Sequence, residues 1–436
     1  MSRLKRALAL ILSAVAVAAL SSCDLADGVA SSSFASKSSS RPDDVVEHAI
    51  RHSGNIRLYT DKKEFEDYDS GFINYFEKYY NGNIEYTYTT DFTASFLTDY
   101  ASNKAPDAVE LNSVSWPTVG NRGLVYSTDD LKNIGVLGLE RSELAVSQKL
   151  CKANFSIGER CYGVSVTDCD PLLAVVNIDL FSRRSVASPM KYYSDNSWDF
   201  DTFLTACREV SDPSGGVSGF YTDEIDGFLV ANGCEPVRWS DTGMLITDML
   251  SDNFISTLGA VRELYSSRFA TEDVSAFANG ECGISAIRLS ELLNQAPTWS
   301  FYWEVLPFPR SDANADGYLP GTVKGIGITS NAANPQGALN YAIARSTYDD
   351  KYYDSSDSSN RRPESKLLDE QQQYVVKSAQ GLTKQNLYVG VGTLNIERYT
   401  FLKDIRSSGK SVADVVKKYE PIIDAQCKSE MTMRQQ

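Results

Sequence analysis

The sequence predicts an α/β protein with two globular lobes. Three observations lead to this prediction. The chain has 436 residues, more than a single hydrophobic core usually serves. Its apolar fraction is 42%, with 11% aromatic residues, so it can fill more than one core. Segments with the two-residue period of strands alternate along the chain with segments that have helical spacing, which is typical of sheets flanked by helices.

The first 22 residues have the pattern of an export signal. Three basic residues precede an apolar run, residues 7–20, that is too short for a membrane span. The run ends in LSSC, in which two small serines precede Cys23, the arrangement of a bacterial lipoprotein signal. We therefore expect acylation of Cys23, which would anchor the protein to the outer face of the cytoplasmic membrane. A plain signal peptide with a coincidental cysteine is the alternative.

A flexible tether is predicted after Cys23. Residues 24–44 are rich in serine and almost free of large apolar side chains, so they cannot offset the entropy cost of ordering. We place the tether at residues 23–53. Removal of the signal lowers the formal charge from −15 to −18. Such a charge argues against nucleic acid as a partner, because nucleic acid is also polyanionic.

Histidine and cysteine usage excludes several chemistries. The only histidines, His48 and His52, lie in the predicted tether and outside both predicted lobes, so neither Ser/His/Asp nor Cys/His catalysis is expected, nor a histidine-rich zinc site. An odd number of cysteines, seven, follows Cys23, so at least one thiol is expected to be free unless it bonds to another molecule. Cys151 and Cys161 are near enough in sequence for a disulfide, and we predict that pair.

The first lobe is predicted to begin with a strand, a helix and a second strand. NIRLYT (55–60) alternates like a strand, aromatic residues at helical spacing follow over 72–79, and an Asn81-Gly82 turn leads to IEYTYTT. This order predicts a parallel sheet.

The next unit repeats the pattern, with a helix over 92–100 and the strand DAVELN, which ends at Asn112. Ligands gather at the carboxyl ends of strands in such sheets, so Asn112 and Trp116 are pocket candidates. A core position is the alternative for Trp116.

The second half of the chain continues the α/β pattern. PLLAVVNI (171–178) predicts a buried strand, and DFDTFLTACREV predicts a helix capped by Asp199. A longer amphipathic helix covers 252–267, and a polar stretch at 348–365 predicts an exposed loop.

Near the carboxyl terminus, the strand VKGIGITS precedes a helix that Asn334 caps and Pro335 opens. The last helix is predicted to place Val412, Val415, Val416 and Tyr419 on one face, and this face continues beyond Pro421.

The order of these segments resembles the type II extracellular solute-binding proteins of ABC importers, in particular the carbohydrate-binding group (family 1). The resemblance covers most of residues 54–425. It depends on several segments that occur in the order of the family: FEKYYNGNIEYTYTT, APDAVELNSVSWPTVGNRGLVYSTDDL, CYGVSVTDCDPLLAVVNIDLF, WDFDTFLTACREVSDPSGGVSGF, FLVANGCEP, AFANGECGISAI, WEVLPFP and GTVKGIGITSNAANPQGALNYAI.

The resemblance implies a two-lobed type II periplasmic-binding-protein fold in which each lobe is a mixed sheet flanked by helices. We assign residues 54–165 and 306–347 to lobe I, and residues 166–305 and 348–436 to lobe II. A cleft between the lobes would hold a sugar or oligosaccharide and close around it. The implied partners are a membrane permease and its ATPase. A monomer without a cofactor or metal ion is expected.

The resemblance also implies a set of ligand-binding residues. In the family, the loop before the second-lobe strand faces the cleft, and here it contains Asp168, whose carboxylate would accept hydrogen bonds from sugar hydroxyls. A capping or solvated aspartate is the alternative. The predicted set is completed by two kinds of residue. Some follow other strands, and others offer an aromatic face, a cation or close approach of the backbone: Thr60, Asp61, Glu64, Asn112, Trp116, Tyr221, Trp239, Arg288, Gly321 and Thr322.

A second function is considered for Cys169, which lies between two acids. A type I thiaminase uses the same scaffold and is similar in having a cysteine after a YG strand and a glutamate in a later SE turn. By this resemblance Cys169 would attack the pyrimidine of thiamine and Glu291 would move the thiol proton. Asn112 and Lys324 stand where carboxylates are expected in such an enzyme, so we favour the binding protein. A lipoprotein whose cleft has lost its ligand and serves adhesion is a third hypothesis.

One metal motif is considered and set aside. DANADG (312–317) imitates the start of a calcium loop, but Val323 occupies the position of the bidentate glutamate. An acidic surface turn is the simpler interpretation.

Overall fold

The structure is a computed structural model that describes residues 42–60, 63, 67–312, 314, 316–353, 363–390 and 394–433. Residues 43–436 form one compact unit. The predicted export signal, the predicted lipidation site Cys23 and two predicted ligand-binding residues, Asp61 and Glu64, lie outside the described residues.

Strands run through the whole folded body. In chain order they are β1 (Gly54–Thr60), β2 (Gly82–Tyr88), β3 (Ala108–Leu111), β4 (Ser156–Ile157), β5 (Arg160–Cys161), β6 (Gly163–Asn177), β7 (Ser218–Tyr221), β8 (Val237–Trp239), β9 (Leu245–Thr247), β10 (Ala270–Thr271), β11 (Cys282–Arg288), β12 (Trp303–Pro307), β13 (Leu319–Ile328) and β14 (Thr383–Lys384).

Helices connect and cover the strands. In chain order they are α1 (Pro42–Ile50), α2 (Asp67–Tyr80), α3 (Phe92–Ala101), α4 (Trp116–Asn121), α5 (Thr128–Asn133), α6 (Ser142–Asn154), α7 (Ile178–Arg184), α8 (Pro189–Ser194), α9 (Phe200–Val210), α10 (Gly227–Ala231), α11 (Asp252–Ser266), α12 (Leu289–Gln295), α13 (Pro335–Tyr353), α14 (Pro363–Leu367), α15 (Glu370–Gln380), α16 (Leu394–Ser407) and α17 (Val412–Met433).

Several predicted elements and caps are confirmed. β1 and β2 pair in parallel, as the strand-helix-strand order predicts. The Asp199 carboxylate caps α9 by accepting a hydrogen bond from the Thr202 amide (2.8 Å). Asn334 accepts a hydrogen bond from the Gly337 amide (2.8 Å) at the start of α13. α17 continues through Pro421.

Two long strands, β6 and β13, form the centre of the molecule. β6 pairs antiparallel with β13 through its first half, and with β11 and β12 through its second half. β13 pairs antiparallel with β3 near its end and in parallel with β14 at its start. The resulting sheet is mixed, in agreement with the prediction.

The buried apolar side chains form three cores. The large core gathers residues from β6 through β12 and from α15 to α17, including Phe203, Phe228 and Tyr419. The β1 core packs β1 and α2 against α13, and the Trp116 core surrounds Trp116 with Phe155 and other residues.

β6 and β13 connect all three cores. Along β6, Val164 lies in the β1 core, Val166 packs on the Trp116 core, and Leu172 begins the large core. β13 runs in the opposite direction, from Leu319 in the large core to Ile328 in the β1 core. Two antiparallel strands therefore pass through all three cores of this one unit.

The folded body begins earlier than predicted. The tether was expected to extend to residue 53, but α1 is a helix whose Ile50 is buried in the β1 core. The Asn340 amide group donates hydrogen bonds to the Ala49 carbonyl (2.9 Å) and the Ser53 hydroxyl (3.0 Å). The prediction was wrong here because apolar side chains at helical spacing give residues 45–50 a buried face.

Two further predictions require correction. Cys151 and Cys161 form no disulfide, since both thiols are free and Cys151 is buried in the Trp116 core. The loop predicted at 348–365 was wrong at both of its described ends. Residues 348–353 continue α13, where the ring of Tyr348 packs edge-on against Phe72 with centroids 5.5 Å apart, and α14 begins at Pro363.

None of the helices among the described residues combines the length and the apolar character that a membrane span needs.

Candidate functional site

A polar pocket lies where β13 leaves the large core. It has about 350 Å³ of empty space, part of which is open to solvent. Residues from distant parts of the chain line it: Ser113, Glu224, Asp226, Gly227, Val230, Arg288, Pro320, Gly321, Thr322, Lys384, Asn386 and Arg398. We call this the crossover pocket.

Two arginine–carboxylate pairs dominate one wall of the crossover pocket. Two nitrogens of Arg288 donate hydrogen bonds to the two oxygens of the Glu224 carboxylate. Arg398 grips Asp226 in the same way, with distances of 2.7 Å and 2.9 Å. Asn386 adds a third hydrogen bond to the Asp226 carboxylate (2.9 Å). Forked pairs of this kind are geometrically specific and hold both partners in one orientation.

The third cation of the crossover pocket is paired as well. The Lys384 ammonium lies 2.9 Å from a carboxylate oxygen of Glu235. Burial raises the pKa of Glu224, and the neighbouring Arg288 opposes that rise. Because every charged lining group has an opposite charge beside it, the pocket presents donors and acceptors without a large field of one sign.

Close backbone approach shapes the floor of the crossover pocket. A Cβ on Gly321 would lie 2.6 Å from the Asp170 carbonyl oxygen, so only glycine fits there. The Asp170 side chain accepts hydrogen bonds from the Ser290 amide (2.9 Å) and hydroxyl (2.7 Å) at the start of α12. These contacts fix β6, β13 and α12 against each other.

The segment TDCDP was expected to be a loop, and this prediction was wrong. It lies inside β6, because Asp168 and Cys169 pair with Lys324 and Val323 of β13. Asp168 is exposed, yet desolvation by the surrounding protein raises its pKa, with Lys324 opposing. Asp168 does not line the crossover pocket, so its role in ligand contact stays a prediction.

Cys169 lacks the features of an activated nucleophile. Desolvation, together with the charges of Asp168 and Asp170, raises the pKa of its thiol to about 12. In the part of the chain that the structure describes, its sulfur has no hydrogen-bond partner, and it packs against the Trp116 core. Glu291 is exposed on α12. The thiaminase hypothesis is therefore not supported.

The predicted aromatic platforms are mainly core residues. Trp116 is fully buried between Phe155 and Tyr162, so its assignment as a ligand residue was wrong and the core alternative is correct. Tyr221 is buried in the large core and donates a hydrogen bond to Asp223 (2.7 Å). Trp239 is half-buried and packs against both the large core and the Trp116 core.

The remaining predicted residues lie at strand ends. Thr60 ends β1 and is partly exposed. Asn112 caps the turn before α4, since its side-chain oxygen accepts hydrogen bonds from the Val114 and Ser115 amides (both 3.0 Å). Asn314 of the calcium-like stretch donates to the Tyr318 carbonyl (2.7 Å), so that amide has a structural role.

The structure brings together three predicted residues, Arg288, Gly321 and Thr322, in the crossover pocket. Sequence reasoning missed the other polar groups of this pocket: Ser113, Glu224, Asp226, Lys384, Asn386 and Arg398. Of these residues, only Asp226 could have been predicted from the sequence. It directly precedes the apolar segment GFLVA, and a carboxylate that is buried with such a segment needs a cation or a hydrogen-bond donor beside it.

Comparison with known proteins identifies the class of fold. No protein-family profile and no curated protein sequence matches the chain. Among solved structures, the sugar-binding protein MalE from the phytopathogen Xanthomonas citri matches with a TM-score of 0.64 at 13% identity, over 88% of this chain and 99% of that one.

Two other solved structures match in the same way. One is the galacto-N-biose/lacto-N-biose I-binding protein of the ABC transporter from Bifidobacterium longum, in complex with lacto-N-biose (TM-score 0.60, 12% identity, 87% of this chain and 97% of that one). The other is UgpB from Mycobacterium tuberculosis, in complex with glycerophosphocholine (TM-score 0.58, 14% identity, 87% and 99%). This chain has the predicted two-lobed periplasmic-binding-protein fold.

Proposed function

We propose that this protein is the substrate-binding lipoprotein of an ABC importer. It captures a small solute between its lobes and delivers it to a membrane permease. The observation that supports this proposal is the crossover pocket, in which residues 320–322 of β13 meet Ser113 from the first half of the chain and residues such as Arg288 and Arg398 from the second half.

The lobes are proposed to be residues 54–165 with 306–347 and residues 166–305 with 348–436. The packing of β6 and β13 refines where the chain passes between them. Phe308 and Leu319 pack in the large core, and Val323 packs in the Trp116 core, so the second crossing lies near Thr322. The first crossing lies near Asp170 by the same reasoning.

The proposed ligand is a sugar or oligosaccharide. The crossover pocket pairs each of its cations with a carboxylate, so a neutral ligand with many hydroxyl groups meets donors and acceptors without an unbalanced charge. The lacto-N-biose bound to one structural neighbour and the sugar-binding role of another support the same class. Glycerophosphocholine, the ligand of another neighbour, is the alternative to be tested beside them.

The membrane anchor is a separate part of the proposal. Acylation of Cys23 would hold the protein on the outer face of the cytoplasmic membrane, and the serine-rich segment would give it reach. A monomer that meets permease subunits in the membrane is the expected working form. Metabolic labelling with a palmitate analogue tests this part, since a Cys23→Ala variant is expected to lose the label.

Titration calorimetry tests the ligand class. We expect binding of maltose or lacto-N-biose, with weaker or no binding of glycerophosphocholine. Thr322→Val removes one hydroxyl from the crossover pocket at constant shape and is expected to weaken binding about 2- to 10-fold. Thr247→Val on β9 is the matched control, because Thr247 does not line the pocket. Equal losses in the two variants would contradict this site.

A further inference from the structure

A second, wider pocket lies near the opposite end of β13. It has about 830 Å³ of empty space, including space open to solvent. Residues from β5, α5 and the segments beside them line it, among them Tyr126, Asp130, Asn133, Ile134, Arg160 and Ser330. We call this the Tyr126 pocket.

The Tyr126 pocket is separate from the crossover pocket. Thr322 of β13 lines the crossover pocket, and Ser330, eight residues further along, lines the Tyr126 pocket. Eight residues of extended chain span roughly 25 Å. A ligand of one sugar ring cannot occupy both pockets, so the Tyr126 pocket is no extension of the site described above.

Several polar groups of the Tyr126 pocket are not used by the protein. Within the residues that the structure describes, the Tyr126 hydroxyl and the Asn133 amide group have no hydrogen-bond partner. Arg160 uses only one terminal nitrogen, which donates to Asp130 (2.6 Å) and Ser127 (3.0 Å), so its other N–H groups are available. These groups are donors and acceptors of the kind that hydroxyl groups satisfy.

The charge and shape of the Tyr126 pocket favour a neutral ligand. The Arg160 guanidinium and the Asp130 carboxylate form an ion pair, so they cancel. Arg160 also lies over the ring of Tyr162, 5.9 Å from its centroid, which fixes its position. Ile134, half of whose surface is exposed, adds an apolar wall. The apolar Ile134 and the hydrogen-bonding groups of this pocket match the apolar face and the hydroxyl groups of a pyranose ring.

We propose that the Tyr126 pocket is a second binding site, for a small neutral polyol such as one sugar ring. It would let the protein hold a carbohydrate on the outside of one lobe while the cleft is occupied or empty. A monosaccharide has about a dozen non-hydrogen atoms, so its dissociation constant here is expected to be on the order of 1 mM.

Hydrogen-exchange mass spectrometry of the protein tests this proposal without reference to the crossover pocket. The probe is methyl α-D-glucopyranoside at about 20 mM, which is well above the expected dissociation constant. We expect slower exchange of backbone amides in residues 123–134 and 158–163. Arg160→Met is expected to abolish this protection, because it removes the guanidinium and keeps an unbranched stem in its place.

A matched control is available on α5. Lys132 is 50% exposed and pairs with Glu140, while Arg160 is 51% exposed and pairs with Asp130, but Lys132 does not line the Tyr126 pocket. Lys132→Met is therefore expected to keep the protection. Fast exchange in Arg160→Met without the sugar would reveal unfolding, and Tyr126→Phe, which removes only a hydroxyl, then serves as the site variant.

Three results would overturn the proposal. The first is no protection of these segments by the glucoside in the unmodified protein. The second is protection that both Arg160→Met and Tyr126→Phe retain in full. The third is protection by inorganic phosphate at the same concentration but not by the glucoside, which would mean that the pocket selects an anion. Failure here leaves the proposed function untouched, because that function is tested by Thr322→Val.

Discussion

Asp226 is the most heavily used carboxylate of the crossover pocket. Its side chain is 4% exposed and accepts hydrogen bonds from Arg398 and Asn386. Asp226→Ala would remove the carboxylate that pairs with the buried guanidinium of Arg398, and breaking a buried pair in this way typically costs about 3–5 kcal/mol. We expect the free energy of unfolding, measured by urea denaturation, to fall by that amount.

An exposed ion pair provides the comparison. Arg208 and Glu263 lie 3.3 Å apart, and their side chains are 38% and 55% exposed. Arg208→Ala is expected to change the free energy of unfolding by about 1 kcal/mol or less. If both variants lose the same stability, the Asp226 pair does not have the buried role that we assign to it.

The thiol of Cys169 gives a prediction about pH. Since its pKa is raised to about 12, only about one thiol in ten thousand is ionised at pH 8. Alkylation of Cys169 by iodoacetamide should therefore be very slow near neutral pH and accelerate as the pH rises toward 12. Asp168→Asn removes a negative charge, lowers the pKa and should speed the reaction.

Peptide mass spectrometry after timed alkylation measures this rate at Cys169 itself. Asp201→Asn is the control, because it also removes one carboxylate, but from the exposed surface of α9 and not from beside Cys169. It is expected to leave the alkylation rate of Cys169 unchanged. Rapid alkylation at pH 7 in the unmodified protein would show an activated thiolate and would reopen the enzyme hypothesis.

At the scale of single residues, the sequence predicted secondary structure better than it predicted the residues of the pocket. Arg288, Gly321 and Thr322 do line one pocket, and their role in binding stays a prediction. Trp116 is a core residue, and the sequence could not show this because an aromatic side chain near a strand end serves a core and a pocket equally well. Lys384 and Arg398 were missed because they enter the site from segments that are distant in sequence, and only the fold brings them there.

At the scale of elements, the crossing of β6 and β13 depends on Gly321. A Cβ at this position would meet the Asp170 carbonyl oxygen at 2.6 Å and the Pro171 Cα at 2.8 Å. Backbone atoms cannot move away cheaply, so Gly321→Ala is expected to lower the free energy of unfolding by about 1–3 kcal/mol, measured by urea denaturation.

Gly259 is the matched control for that substitution. It lies inside α11, and a Cβ there would meet no atom within 4 Å. Gly259→Ala is expected to raise the free energy of unfolding by about 0.5–1 kcal/mol, because alanine favours the helix. A stabilising effect of Gly321→Ala would show that the two strands are not packed as described.

Elements were predictable where one pattern dominates. The helix capped by Asp199 and the strand pair β1–β2 follow from local spacing and capping. β6 was only half predicted, because TDCD lacks apolar alternation, and its strand conformation comes from pairing with β13. Pairing between distant segments has no local signal.

At the scale of the whole molecule, the fold was predictable from the order of many weak segments. Their sum specifies the two-lobed architecture that the structural neighbours share. The details between the lobes were less predictable, since ion pairs such as Arg398 with Asp226 depend on tertiary position. The shared fold therefore establishes the architecture, and the ligand has to be identified by binding measurements.

The central claim is that a sugar binds between the lobes and draws them together. Small-angle X-ray scattering measures this directly on the protein from residue 24 onward, with and without a saturating sugar from the calorimetric screen. The account predicts a smaller radius of gyration in the bound state. The Thr322→Val variant should need a higher sugar concentration for this decrease, and the Thr247→Val variant should need the same concentration as the unmodified protein. An unchanged radius of gyration with a tightly bound sugar would contradict it.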